Sequence, residues 1–563
     1  MTARTTHRNA VAWCAAGGLL GLAAFHGPEI ASRFRLVPGD EVDARFVASI
    51  LEHFFQSAGG AADVISPSFF FPQKHALAYS DVHLITAVPY AVFRACGASV
   101  LSALAAAIIA LSAATWIVTY LFLHLGVRLG PIAAFAGAYL FVFSSPKLNQ
   151  MSHLQHQVLL LVPAMAWSLL AFVRAAEAGR DRRSAYAIAG FSLLFQLQLW
   201  TSFQIAWFWA FQLCIALALA VACRSHRLSA VRWVRAHPRG VLAFVGGNLV
   251  ALLPFLALFQ PTAIERGWRQ WEEVVPSLPL PLSYVTMGPN LVWEGRLPPS
   301  HARLPVPWEH SLGFGVIATA FGLASFCWAV ARYARWGLPS LVSRDTRCAQ
   351  RDLAVLGALT TFILLLATLN VSGTSAWRFA YLALPGAAAI RTVSRCVLLG
   401  SLGVSLVAAY AVESACARLP NAARGRRLAL AILLTVAIGA AVVEQLGHPA
   451  AFDRKPPEAR VESLVGRLRR RPLCEVFAVD IDPRTRAAGS NEAGAPIRTA
   501  RIQIDAMLAS LATGRPTMNG YSSLSPPGWN LWRIGDPTYR DLVREWSTAR
   551  GLLRRTCILS STP

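Results

Sequence analysis

Runs of about twenty apolar residues recur along this chain, and they limit its architecture more than any other feature. Hydrocarbon offers backbone N–H and C=O groups no water, so such runs satisfy their own hydrogen bonds as helices. About twenty residues of helix cross the bilayer core. The runs lie at 10–26, 99–124, 130–145, 154–173, 186–200, 203–222, 241–260, 311–331, 352–370, 395–417 and 428–446. Of the 563 residues, 55% are hydrophobic and 14% charged, against roughly a quarter charged in a soluble domain. The expected fold class is mainly α: a polytopic membrane helix bundle of about 11 spans. The formal net charge of +23 would suggest nucleic acid in a soluble protein. Here basic loops facing anionic lipid explain it more simply, so no nucleic-acid partner is expected.

Arginines occupy alternate loops. Arg4 and Arg8 precede the first run, and Arg174, Arg180, Arg182 and Arg183 follow the fourth. Arg224, Arg227, Arg232, Arg235 and Arg239 follow the sixth, with further clusters at 332–351 and 418–427. The positive-inside rule puts these loops and the N-terminus in the cytoplasm. The first run, AVAWCAAGGLLGLAAF, has no small-residue cleavage site before charged sequence, so it is expected to be an uncleaved helix. Segment 81–98 is apolar, but counting it as a span would move the basic loops outside. It is therefore expected to lie in the outer interface. These assignments divide the chain into a transmembrane region, 1–446, and an external α/β domain, 447–563. Outer loops are expected at about 27–98, 261–310 and 371–394. The tail has short strand-like runs, CEVFAVDI, PTMNGYSS and CILSS, with helix-like runs between them. Ten cysteines show no metal-ligand spacing; Cys474 and Cys557 open the first and last of the strand-like runs, and the sequence leaves open whether they pair in an oxidising compartment or stay as two free thiols.

Ionisable residues gather on the outer side. The first outer loop carries Asp40, Asp43, Glu52, His53, Asp81 and His83. Lys147, His153 and Gln155 precede the fourth run, and Arg378, Arg391 and Arg395 precede the tenth. Apolar residues from Phe46 to Phe55 repeat at helical spacing, predicting an amphipathic interfacial helix over 44–56 with Asp43 at its mouth. A carboxylate fixed there suits a general base toward a hydroxyl, and nearby arginines suit a phosphate leaving group. Each residue also has a plain structural reading. Asp43 is a helix N-cap, Asp40 a turn residue, Glu52 a solvated polar face and His53 interfacial packing. The arginines snorkel to headgroups, and His153 and Gln155 cap a helix.

This pattern resembles the GT-C fold of integral membrane glycosyltransferases that use polyprenyl-phosphate sugars. PGDEVDARF is similar to the Asp-Glu motif of protein O-mannosyltransferases, and SDVHLITAVPY to their second acidic motif. MSHLQHQ resembles the His-aromatic-Gln motif of lipid-linked-glucose glucosyltransferases. A group of uncharacterised bacterial multi-pass membrane proteins shares PGD..D.RF....LEH, FFFP...ALAYSD, HLQ, LPG...IRTVSR and PTMNGYS as they stand here. The resemblance implies an inverting transferase of the bacterial inner membrane, working without metal or cofactor on a polyprenyl-phosphate-linked sugar. It implies an envelope glycan, lipid or protein as acceptor. Asp40 or Asp43 would be the base, and Asp81 the second acidic position. Glu52, His53, His83, Lys147, His153, Gln155, Arg378, Arg391 and Arg395 would be the substrate-binding candidates. Mannosyltransferases keep a His close behind their acidic pair, where this chain has Asp43 and Arg45; the choice between the two aspartates stays open. A transporter or lipid flippase would place charges within the spans, and the main runs carry few. A catalytically inactive envelope scaffold is the remaining alternative.

Overall fold

The computed structural model describes residues 3–60, 63–294, 296, 304–338, 345–481 and 495–561. Helix α1 (Ala3–Ala31) leads through strand β1 (Leu36–Pro38) into α2 (Asp43–Ala58) and α3 (Leu84–Ala95). The bundle continues with α4 (Val100–Leu121), α5 (Pro131–Val142), the short α6 (Ser145–Asn149), α7 (Leu161–Glu177), α8 (Asp181–Thr201) and α9 (Phe203–Ala222). After α10 (Arg224–Ala236), α11 (Pro238–Arg266) and α12 (Trp271–Val274) come α13 (Val316–Trp336), α14 (Thr346–Thr368), α15 (Trp377–Ala383), α16 (Val397–Arg418) and α17 (Arg424–Val443).

Among the described residues, nine helices are long and apolar enough to cross a membrane: α1, α4, α7 with its preceding turn, α9, α11, α13, α14, α16 and α17. The other two expected runs are α5 and α8. Helix α5 has 12 residues, bounded by Gly130–Pro131 and by the Ser144–Ser145–Pro146 turn. It is short yet buried from Ala133 to Val142. Helix α8 has 21 residues, but Gln196 and Gln198 dilute its apolar run. Helix α16 forms the centre of the bundle and is packed by α5 and α14. Gly403 makes that approach close, because a Cβ there would collide with the Gly357 backbone.

The C-terminal segment forms strand β2 (Ala451–Asp453), α18 (Lys455–Arg469), β3 (Val476–Asp480), α19 (Ala495–Thr513), α20 (Tyr539–Thr548) and β4 (Thr556–Ser560). Strand β2 pairs antiparallel with β1, matching Leu36 to Asp453. Strand β3 runs parallel to β4 in the register Val476 to Thr556, and Cys474 and Cys557 form a disulfide across them. All five β3 residues are buried, in a core shared with Phe46 and Ile50 of α2 and Phe69 to Val82 of the following loop.

That shared core changes the reading of α2. Its residues Ala44 to His53 are buried on every face, so α2 is a core helix rather than one lying on a membrane surface. It is held between α3 and α4 on one side and α19 on the other. The polar positions that looked solvated are matched by partners distant in sequence. Glu52 accepts hydrogen bonds from Arg94 Nε (2.7 Å) and Tyr90 (2.7 Å). Arg45, fully buried, pairs with Asp505 of α19. Helix α3 keeps an open apolar face at Val88 and Val92, 61% and 57% exposed.

Candidate functional site

The N-terminal ends of α2, α7, α9, α13 and α16 converge at one end of the bundle, beneath the C-terminal segment. The backbone at the mouth of α2 decides what its two aspartates do. Asp40 Oδ1 accepts from the N–H groups of Val42 (2.7 Å) and Asp43 (2.9 Å). Asp40 therefore satisfies the orphan donors of the first turn, the task of a capping side chain. That frees Asp43, whose side chain is turned away from its own backbone.

Asp43 starts a chain of charged contacts. Its Oδ1 accepts from the Tyr521 hydroxyl (2.8 Å), and its Oδ2 lies 3.2 Å from His153 Nδ1. The other His153 nitrogen, Nε2, is 3.3 Å from Glu309 Oε1. Arg395 grips Glu309 with both arms, at 2.5 Å and 3.2 Å, and its third nitrogen meets His156 Nε2 at 3.0 Å. Gln157 donates to the carbonyls of Lys147 and Gln150, bracing the turn that presents His153.

Burial opposes ionisation throughout, and the neighbours overcome it. The desolvation of Asp43 is outweighed by His153, Tyr521 and Arg395, which hold its carboxyl below the usual range. Arg395 and His153 hold Glu309 well below its ordinary value despite burial. His153 resists burial and the Arg395 charge because two carboxylates face it, and it is raised above the ordinary imidazole value. With one ring nitrogen 3.2 Å and the other 3.3 Å from a carboxylate oxygen, its surroundings favour the protonated ring. Two carboxylates and two basic groups thus meet within one half-buried cluster. Arg391 stands beside it, close enough to feel the charges of Arg395, Glu309, Arg269 and Glu273. Its exposed guanidinium makes no hydrogen bond or ion pair among the described residues, so it is the cation left over.

The other sequence candidates fall at graded distances from this cluster. Asp81 is half-buried, caps α9 by accepting from Phe203 N–H (3.0 Å), and is raised to about 6 by burial, with Arg395 acting against the rise. His83 is buried and pushed down to about 4, near His156. Gln155 is half-buried on the same turn as His156. Lys147 points inward from α6, is 1% exposed, and burial pushes its ammonium down to about 7. Arg378 stacks on Trp271 with its guanidinium 5.8 Å from the ring centroid. Arg395 is bound to Glu309 rather than free for an anion. Glu52 and His53 lie outside the cluster. Glu52 ties α2 to α3, and His53 meets the Val64 carbonyl at 3.0 Å as a strut to the following loop. Glu309 and Tyr521 carry no local signal that marks them as site residues; Tyr521 lies in the PTMNGYSS run.

Glu41 and Arg45 belong to the same motif but face the other way. Arg45 and Arg460 both meet Asp505, Arg460 at 2.9 Å. Glu41 meets Arg460, and Arg501 at 2.9 Å. The acidic motif thus presents Asp43 to the cluster and clamps the C-terminal segment with its alternate residues. Among the described residues, no group of three or more His, Cys, Asp or Glu side chains is arranged to hold a metal ion.

No family model matches the chain, and no curated protein matches it. Among solved structures it is similar to the Archaeoglobus fulgidus oligosaccharyltransferase, crystallised in complex with Zn and sulfate, at 11% identity and a TM-score of 0.47. The match covers 90% of this chain and 62% of that one, so the chain spans less than two thirds of its length.

Proposed function

We propose that this chain is an inverting glycosyltransferase of the GT-C type, moving a sugar from a polyprenyl-phosphate donor to an envelope acceptor. The observation that carries the reading is Asp43, freed from capping and turned toward His153 at the mouth of the bundle. In this reading Asp43 takes the proton of the acceptor hydroxyl as the oxygen attacks the anomeric carbon. The bond from that carbon to the phosphate oxygen breaks from the opposite face, and the phosphate leaves with the bonding pair. Arg391, uncommitted beside a charge-balanced cluster, holds the leaving phosphate. His153 fixes the carboxylate and Glu309 fixes His153, in the manner of a base oriented through further groups. The cluster end faces the periplasm, the N-terminus the cytoplasm, and the lipid carrier reaches the site from the outer leaflet.

Replacing Asp43 and Asp40 separately by Asn, with membrane expression confirmed, tests the proposal through envelope glycans. Asp43→Asn should reproduce the glycan change seen on deleting the protein, and Asp40→Asn should not. Wild-type glycans in Asp43→Asn, where deletion alters them, would remove Asp43 as the base.

A further inference from the structure

Tyr521 reaches the cluster from the C-terminal segment, 478 residues along the chain from Asp43. Its ring packs edge-on against Phe46 of α2, with centroids 5.4 Å apart, and lies 6.0 Å from Trp532. Its backbone neighbours are fixed as well. Gly520 N–H donates to Gln503 at 3.0 Å, and the Ser522 and Ser523 hydroxyls donate to the Tyr79 carbonyl. Arg269, beside Arg391, donates to the Ser523 carbonyl at 2.8 Å. The loop carrying Tyr521 is therefore held at both flanks, and its hydroxyl lies within hydrogen-bond reach of Asp43 Oδ1.

We infer that Tyr521 is a positioning residue for Asp43, which makes the C-terminal segment part of the reacting site. The inference rests on the reading of Asp43 as base and adds a second polypeptide region to it. A carboxylate with two free oxygens rotates about its terminal torsion, which is broad and roughly two-fold. Here His153 contacts Oδ2 at 3.2 Å and the Tyr521 hydroxyl donates to Oδ1, so each carboxylate oxygen has its own partner and the torsion is restrained. Phenol burial and the Asp43 charge both push the Tyr521 hydroxyl up, so it remains a donor across the working pH range. The groups facing Asp43 are His153, Tyr521 and Arg395, and Tyr521 in turn feels Asp40 and Arg391. The ion pairs of Glu41 and Arg45 with Asp505, Arg460 and Arg501 keep the segment docked just behind this contact.

Carboxyl labelling of the full chain in detergent micelles tests this without a sugar substrate. A water-soluble carbodiimide with glycine ethyl ester is applied across a pH series, and coupling at Asp43 is read by peptide mass spectrometry. Tyr521→Phe keeps the ring contacts and deletes the donor. The Asp43 labelling midpoint should move up by roughly one pH unit, because a hydrogen bond to a charged group is worth about that much. Glu52, buried in its own pair with Arg94, should stay protected and reports that the fold is intact. An unmoved Asp43 midpoint with Glu52 protected overturns the inference.

If Glu52 becomes reactive in Tyr521→Phe, a fluorinated tyrosine introduced at 521 decides the matter. Its more acidic phenol is a stronger donor and should move the midpoint down; failure to do so overturns the inference. The base reading fails separately, through retained transfer in Asp43→Asn, whatever the labelling shows.

Discussion

Replacing Asp505 by Asn should loosen the C-terminal segment far more than replacing its buried partner Arg45 by Met. The network behind α2 has three cations, Arg45, Arg460 and Arg501, and two anions, Glu41 and Asp505. Removing the Asp505 charge leaves Arg45, 0% exposed, with Glu41 alone at 3.6 Å. Glu41 is already shared with Arg460 and Arg501, so the buried Arg45 charge is left poorly compensated, at a cost of about 3–5 kcal/mol. Removing Arg45 instead leaves Asp505 with Arg460 at 2.9 Å and Glu41 with Arg460 and Arg501. Two anions then face two cations, and Met occupies much of the space left by the arginine stem. That change should cost about 1 kcal/mol or less, well below the cost of stranding a buried charge, because each remaining carboxylate keeps an arginine partner.

Hydrogen exchange of the α19 amides in the purified full chain reads both variants. Asp505→Asn should speed exchange by about two to four powers of ten, at 1.4 kcal/mol per tenfold, and Arg45→Met by less than about tenfold. Equal effects, or a larger effect from Arg45→Met, would show that charge balance does not hold the segment in place.

The pH dependence of thermal stability should follow the cluster. Asp43 and Glu309 are held below their ordinary values of 3.8 and 4.5, so their contribution is complete above that range and lost on acidification. His153 is held above 6.5, so its contribution is complete below that pH and lost as the pH rises through its folded value. Stability from the cluster should peak in mild acid, and His153→Gln should flatten the fall above pH 6.5 in a melting series. Glu52→Gln should lower stability by about 2–3 kcal/mol, below the range for a fully buried pair because the Arg94 side chain is 22% exposed, while leaving sugar transfer within a few-fold of wild type at permissive temperature. Arg391→Ala should weaken transfer, and Arg391→Lys should recover only part of it, because a point charge replaces a bidentate fork; transfer at wild-type rate in Arg391→Ala would remove it from the phosphate role.

Much of this architecture is legible in the chain. Apolar runs of membrane length are a local property, and they mark the nine long helices among the described residues without any partner. Asp43, His153 and Arg395 stand out locally too, as ionisable groups at the edges of such runs. Their grouping is not local. Glu309 meets His153 across 156 residues and Tyr521 meets Asp43 across 478, and no spacing rule carries that information. Nor does periodicity tell a solvated face from a buried one. Glu52 falls on the polar side of α2 in either case, and only Arg94 and Tyr90, about forty residues later, make that side an interior. The separation of Asp40 from Asp43 rests on backbone direction. Either aspartate suits a cap, and the turn at Gly39, with φ of 96°, brings Asp40 rather than Asp43 over the first N–H groups.

The central claim is that Asp43 performs the proton transfer while Asp40 supports the helix. The direct measurement is the initial rate of sugar transfer from a polyprenyl-phosphate-linked radiolabelled sugar to envelope acceptor, in membranes carrying equal amounts of each variant. Asp43→Asn should fall by about 10²- to 10⁴-fold, the usual worth of a positioned base. Asp40→Asn should stay within about tenfold of wild type, because asparagine caps a helix nearly as well as aspartate. Transfer at the wild-type rate in Asp43→Asn, or its loss only in Asp40→Asn, would contradict the account.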